Sequence, residues 1–186
     1  MVVLASASPR RQELLKLLFE DFSVEPADID ETVRKTIELE PYPEYLAIKK
    51  ARHIAEQHPI DDLIIGCDTG VFINDIMLGK PNAKEHAEEM LKMLSGKTHK
   101  VITGCSIFYK GHNVSFSEVT EVEFYPLTDK EIEEYVATGE PMDKAGAYGI
   151  QGKGALLVKR INGDYYNVVG LPISTISRYV KQILNT

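Results

Sequence analysis

Asp68 and Lys80 are the first residues in this chain whose types and spacing suggest chemistry. Leu63, Ile64 and Ile65 form a short apolar block that reads as a strand buried on both faces and runs straight into Gly66, Cys67 and Asp68. A carboxylate is therefore expected where that strand emerges from the core. Further on, Gly79-Lys80-Pro81 sets a cation on a rigid turn. Between them Val71 to Ile73 and Ile76 to Leu78 can pair across Asn74-Asp75, a two-residue hairpin turn that would return Lys80 to the end occupied by Asp68. A carboxylate and an ammonium at the mouth of a buried strand suit metal-assisted phosphate chemistry. From this stretch alone, a turn Asp and a surface Lys fit equally well.

Other charged residues point the same way. Ser8 is a good N-cap and Pro9 an ideal first helical residue, but Arg10 and Arg11 then add positive charge where a helix prefers acids. A bound anion resolves that conflict, with pairing to acids such as Glu13 as the plainer alternative. Asp28-Ile29-Asp30-Glu31 gathers three carboxylates, either a solvated loop or part of a cation site. Lys49 and Lys50 read most simply as surface residues, although one of them could turn inward. In the glycine-rich stretch Glu140 to Gly154, Asp143, Lys144 and Gln151 offer a carboxylate, a cation and an amide able to read the edge of a base. Loops of this length are commonly functional, and Tyr148 and Ile150 argue against disorder. Walker A and complete dinucleotide patterns are absent.

The elements that must position these groups can be read in order. Val2 to Ala5 is a strand, followed by a helix from Pro9 to about Phe19 with Leu14, Leu15, Leu17 and Leu18 inward. Phe22 to Pro26 is a strand and Pro43 to Gln57 a helix. Ala83 to Leu94 is an amphipathic helix with Ala87, Met90, Leu91 and Leu94 inward, ended by Ser95-Gly96. Val101 to Tyr109 is a strand, and Asn113 to Phe124 one or two more. Thr128 to Glu131 is a capping box opening a helix that ends near Thr138-Gly139. Ala155 to Ile161 and Tyr165 to Val169 form a hairpin across Asn162-Gly163. A helix beginning near Leu171-Pro172-Ile173 closes the chain, with Ile176, Tyr179, Val180 and Ile183 inward. Five strand-like segments separated by four or five helices imply an α/β fold, a two-lobed mixed β-sheet with flanking helices.

Totals narrow the class. At 186 residues, 44% hydrophobic and 26% charged, the chain suits one domain or two lobes sharing a core. A net charge of −7 argues against a nucleic-acid partner, though not against a small anion in a locally basic cleft. No apolar run approaches a membrane span, and no signal peptide is evident. Cys67 and Cys105 sit in apolar runs, which favours packed thiols over a disulfide or zinc site. The expected location is cytoplasmic.

Seven separated segments resemble the Maf family, the septum-formation proteins that act as nucleoside triphosphate pyrophosphatases. They are LASASPRR from Leu4, LAIKKA from Leu46, CDTGV from Cys67, LGKP from Leu78, LSGKTHKVITG from Leu94, TGEPMDKAGAYGIQGKGAL from Thr138, and GDYYNVVGLP from Gly163. Cys67 stands where the family usually has Ala, a small-for-small change that leaves the chemistry intact. The resemblance implies a fold like that of inosine triphosphate pyrophosphatases with the active site in a cleft between lobes, and often a homodimer. It implies release of pyrophosphate from a nucleoside triphosphate with a divalent metal, magnesium first and manganese or cobalt as alternatives. AYGIQG is similar to the branch acting on dTTP and UTP rather than 7-methyl-GTP. In that branch the positions matching Arg10, Thr69 and Gln151 are associated with substrate choice and the one matching Asp68 with catalysis. In the resulting scheme Ser8, Arg10, Arg11, Lys80, Lys50 and Lys144 hold the triphosphate. Asp68 and Glu31 hold the metal, and Asp68 also orients or deprotonates the attacking water. Gln151 pairs with the O4 and N3 edge of uracil or thymine while Thr69 shapes the pocket. The alternatives are a pyrophosphatase for 7-methyl-GTP or other modified nucleotides, and a non-enzymatic nucleotide-binding regulator of cell division.

Overall fold

The computed structural model describes residues 1–32 and 39–185. Among the described residues, seven strands and six α-helices follow one another as β1 (Val2–Leu4), α1 (Pro9–Leu15), β2 (Ser23–Val24), α2 (Tyr42–Ala55), β3 (Leu63–Ile73), β4 (Ile76–Leu78), α3 (Lys84–Leu94), β5 (Thr98–Tyr109), β6 (His112–Phe124), α4 (Asp129–Val136), β7 (Val158–Asn162), α5 (Tyr165–Val169) and α6 (Ile173–Leu184). They form the expected mixed sheet, ordered β2-β1-β3-β5-β6-β7 with β4 on β3 and more strands than the five anticipated. β1 runs parallel to both β2 and β3, whereas β3 with β4 and β6 with β7 are antiparallel.

Contacts divide the chain into two compact units. The first comprises Met1–Asp68, Thr103–Glu118 and Gly170–Thr186; the second comprises Thr69–Ile102 and Val119–Val169. In the first, Val3, Ala5 and Ile64 of β1, its exit and β3 pack on Ala51 and Ile54 of α2. Each large aliphatic residue so buried contributes roughly 1.5–3 kcal/mol. α2 lies unusually close to the sheet. A Cβ on Gly66 would meet the Ala47 carbonyl oxygen at 2.6 Å, and one on Gly104 would meet the Glu44 nitrogen at 2.2 Å. Glycine at both positions lets the helix rest on backbone. In the second unit, Leu78, Val122 and Phe124 pack with Ala87, Leu91 and Leu94 of α3 and with Ile132 and Val136 of α4.

Several local expectations hold. Asn74 and Asp75 adopt φ of 49° and 60°, as a primed hairpin turn requires, and Val71 pairs with Leu78 across it. Ser8 caps α1, and Thr128 with Glu131 completes the capping box of α4. Others are corrected. α1 stops at Leu15, and Leu17 is 66% exposed rather than inward. Tyr165–Val169 is a short helix, not the second arm of a hairpin. The Asp164 carboxylate accepts from the Tyr166 amide, and the buried Asn167 side chain donates to the Val101 carbonyl and the Thr120 hydroxyl. Those side-chain bonds override the strand propensity of the flanking tyrosines and valines.

A polar chain in the first unit carries a pH dependence. His58 bonds Glu25 at 2.8 Å through Nε2 and Asp62 at 3.0 Å through Nδ1, and Asp62 also receives the terminal ammonium of Met1. The hydrogen bonds to Glu25 and Asp62 raise the His58 pKa above its ordinary 6.5. The hydrogen bond from His58 lowers that of Glu25 from 4.5, and the bonds from the terminal ammonium and His58 lower that of Asp62 from 3.8. The histidine's contribution is full below pH 6.5 and fades as pH rises through its elevated value. The carboxylates' contribution is full above their ordinary values and fades as pH falls through the depressed ones. The chain therefore stabilises most between about pH 4.5 and 6.5. His58→Gln is expected to lower Tm more at pH 6 than at pH 8.5, which thermal denaturation at the two pH values checks. An equal loss at both would sink the assignment.

Candidate functional site

β3 is buried along its length except at Asp68 and Thr69, which are half-buried. Asp68 thus lies inside one continuous strand of 11 residues, not at the strand end that the sequence suggested. A carboxylate so placed needs a partner. Residues two apart on a strand share a face, so Asp68 looks toward the side on which Gly66 admits α2. That approach delivers Lys50, the residue before Ala51. Its ammonium sits 2.7 Å from Asp68 Oδ1 and 2.8 Å from Glu31 Oε1. Lys50 is buried, so of the two lysines it is the one that turns inward.

The Asp28–Glu31 segment is tied to the same helix. The Tyr42 hydroxyl donates to the Glu31 carbonyl at 2.9 Å, and Lys49 donates to the Asp30 carbonyl at 2.7 Å. Burial, with the nearby charge of Asp68, raises the pKa of Tyr42 and keeps it a donor. Tyr42 was not foreseen, because nothing in its neighbours' spacing marks a tyrosine that holds a distant carbonyl.

The paired arginines differ. Arg11 Nε donates to the Gly170 carbonyl at 2.8 Å, and Nη1 donates to Ser6 Oγ at 3.0 Å and the Cys67 carbonyl at 2.9 Å. Its guanidinium joins the β1–α1 turn, β3 and the entry to α6. Arg10 stands beside it on the first turn of α1, half-buried, and Ser8 Oγ caps the Arg11 amide. The Cys67 side chain meets Cys105 with its sulfur 3.3 Å away, both thiols being fully buried.

The remaining predicted residues belong to the second unit. Thr69 continues β3, and Lys80 is exposed just beyond β4. The Glu140–Gly154 stretch is folded into 3-10 turns rather than open loop, and the Gly146 amide donates to the Gly79 carbonyl at 3.0 Å, tying it to the turn that carries Lys80. Lys144 donates to the Glu140 carbonyl and to Asp143 Oδ1, each at 2.7 Å. Gln151 is exposed. His99 Nε2 and the Tyr148 hydroxyl are 2.7 Å apart, and both rings pack edge-on against Phe124. Burial pushes the His99 pKa down to about 4, so the ring is neutral at physiological pH.

A cation held by two carboxylates already exists here, in the form of the Lys50 ammonium. Asp68 and Glu31 converge on one positive charge, and one or two carboxylates completed by phosphate oxygens and water is a common magnesium environment. No group of three or more potential ligands from His, Cys, Asp and Glu occurs among the described residues. The donor set therefore fits a metal shared with a phosphorylated substrate.

A family model described as Maf-like protein matches residues 1–183. The chain is 50% identical over 182 residues to a dTTP/UTP pyrophosphatase of Geobacillus sp. (strain WCH70), covering 98% of this chain and 97% of that one. It is 51% identical over 176 residues to a dTTP/UTP pyrophosphatase of Thermococcus onnurineus (strain NA1), covering 95% and 94%. Among solved structures it is similar to the Staphylococcus aureus Ham1 protein, with a TM-score of 0.49 and 19% identity over 66% of this chain and 71% of that one.

Proposed function

The chain belongs to the Maf-like proteins, and we propose that it hydrolyses dTTP and UTP to the monophosphate and pyrophosphate. The observation that carries this reading is half identity, over nearly the whole of both chains, to proteins named for that activity. The arrangement of Lys50, Asp68 and Glu31 supports it, since hydrolysis of an anhydride needs a placed carboxylate amid cations.

Lys50 engages Oδ1 of Asp68 and fixes the carboxylate, whose other oxygen we assign to the attacking water. The water's oxygen bonds to the α-phosphorus, its proton passes toward Asp68, and the α–β bridging oxygen leaves with pyrophosphate. Ser8, Arg10 and Lys80 bind the phosphates, while Arg11 and Lys144, already engaged with carbonyls, position the backbone around them. Asp68 and Glu31 would hold a divalent cation, most simply magnesium, which when bound neutralises charge on the phosphate oxygens. Gln151 reads the O4 and N3 edge of uracil or thymine, and Thr69 borders the base. Cytosine presents an amino group at that edge and is disfavoured. No helix among the described residues is long and apolar enough to cross a membrane. The reading includes a cytoplasmic homodimer, which sedimentation and fractionation check.

Pyrophosphate release over UTP, dTTP, CTP and 7-methyl-GTP tests the function. Turnover of UTP and dTTP well above the other two is expected. Gln151→Ala is expected to reduce the UTP-over-CTP preference about tenfold, the equivalent of about 1.4 kcal/mol. Turnover confined to 7-methyl-GTP would overturn the substrate assignment, and binding of UTP without turnover would favour a nucleotide-sensing regulator.

A further inference from the structure

Gln151 is exposed, yet the chain on both sides of it is pinned. Tyr135, nearly buried in the last turn of α4, accepts from the Gly149 amide at 3.3 Å through its hydroxyl and donates to Glu140 Oε1 at 3.1 Å. Glu140 Oε1 also accepts from the Gly154 amide at 3.0 Å, and Oε2 accepts from the Lys153 amide at 3.1 Å. One carboxylate and one phenol therefore hold the backbone two residues before Gln151 and two and three residues after it.

The closure is tight. A Cβ on Gly154 would meet the Gly149 carbonyl oxygen at 2.0 Å and the Tyr135 hydroxyl at 2.7 Å. Residues 149 and 154 thus touch backbone to backbone, and the segment between them is a small excursion rooted at Tyr135 and Glu140. Gly152, at φ +64°, turns the chain back, and a Cβ there would strike Glu140 Oε2 at 2.8 Å. Ile150 is buried, so the excursion is anchored on its inner side while Gln151 projects. Burial pushes the Glu140 carboxyl up, but the Gly154 and Lys153 amides and the Tyr135 hydroxyl outweigh it and leave its pKa below the ordinary range.

We propose that Glu140 and Tyr135 are positioning residues for base selection, fixing the loop so that the Gln151 amide meets the pyrimidine edge in one orientation. This rests on the assignment of Gln151 as the base reader. An exposed amide on a loose loop samples many orientations, and a displacement of about 1 Å suffices to cost up to about a hundredfold in a positioned interaction. A loop held at both flanks avoids that loss without either anchor touching the nucleotide.

The test is a double-mutant cycle on the full chain, with kcat and KM for UTP and CTP and Tm measured for each variant. Glu140→Gln removes the charge and one acceptor oxygen. Tyr135→Phe removes a single hydroxyl and keeps the ring, so it serves where Glu140→Gln fails to fold. Either change is expected to lower the UTP-over-CTP preference in kcat/KM about tenfold, chiefly through KM for UTP, with kcat within about twofold. In a Gln151→Ala background the same change is expected to have no further effect on preference. A Glu140 or Tyr135 variant that keeps full preference, or one whose effect adds fully to that of Gln151→Ala, overturns the positioning role while leaving Gln151 as the reader. A Gln151→Ala protein with unaltered preference overturns the reader and the positioning role together.

Discussion

Asp68→Asn is expected to lower kcat for UTP by about two to four orders of magnitude, the usual worth of a placed general base. The substitution keeps the volume of the side chain and an oxygen able to accept from Lys50, so the strand and its neighbours have no reason to move. It also leaves the Lys50 ammonium with Glu31, 2.8 Å away, which avoids stranding a buried charge. The loss is therefore expected in turnover and not in folding, with Tm within a few degrees of the parent and KM for UTP changed far less than kcat. Steady-state pyrophosphate release and thermal denaturation on one preparation check both halves. A variant retaining kcat within threefold would move the proton acceptor elsewhere; a collapsed Tm with proportionate loss of activity would make Asp68 an anchor for Lys50.

Arg11→Lys carries the second large effect, and its sign is structural. A guanidinium can donate from Nε and Nη1 in a fixed fork, which is how Arg11 reaches Gly170, Ser6 and Cys67 together. A lysine keeps the charge but has one nitrogen on a flexible stem and cannot span those acceptors. With bonds to a charged donor worth about 1.5–3 kcal/mol each and partial compensation by lysine and water, a loss of about 2–4 kcal/mol is expected. In a chain of this size that lowers Tm by about 5–15 °C. Arg10→Lys, by contrast, is expected to register in KM for UTP. If Arg11→Lys melts like the parent and raises KM instead, then the phosphate role belongs to Arg11 and the strut does not matter.

How far the sequence disclosed these features depends on how local each one is. The Asn74-Asp75 turn, the capping box at Thr128 and the inward face of α3 are settled within a few residues, and each is where the pattern put it. The charged groups Asp68, Glu31 and Lys50 were all identifiable as chemistry, and the family resemblance set Asp68 and Glu31 on one cation, but the ion pairs through Lys50 were not foreseen. They depend on the missing Cβ of Gly66, which lets α2 descend onto the sheet, and a glycine in a strand-like run reads equally well as a strand end. That ambiguity also placed Asp68 at a terminus instead of mid-strand. Glu140 and Tyr135 escaped because their partners are backbone amides, and an amide has no signature in the sequence. Tyr165–Val169 misled for the opposite reason: two tyrosines and two valines have real strand propensity, but the buried bonds of Asn167 decide the conformation.

The bond from Arg11 to Gly170 spans 159 residues. On a ribosome adding about 5–20 residues per second, its acceptor is made roughly 8–30 s after its donor. The first 68 residues include β1, β2 and the parallel edge of β3, yet their unit also takes in residues 103–118 and the closing helix, where Tyr179 stacks on Phe116. The nascent chain must therefore hold this unit incomplete until residues 103–118 and the segment from Gly170 have been made, although the parallel pairing of β1 with β2 and β3 needs only the first 68 residues. Premature termination anywhere before Gly170 yields a chain without the bond that Arg11 makes to that carbonyl.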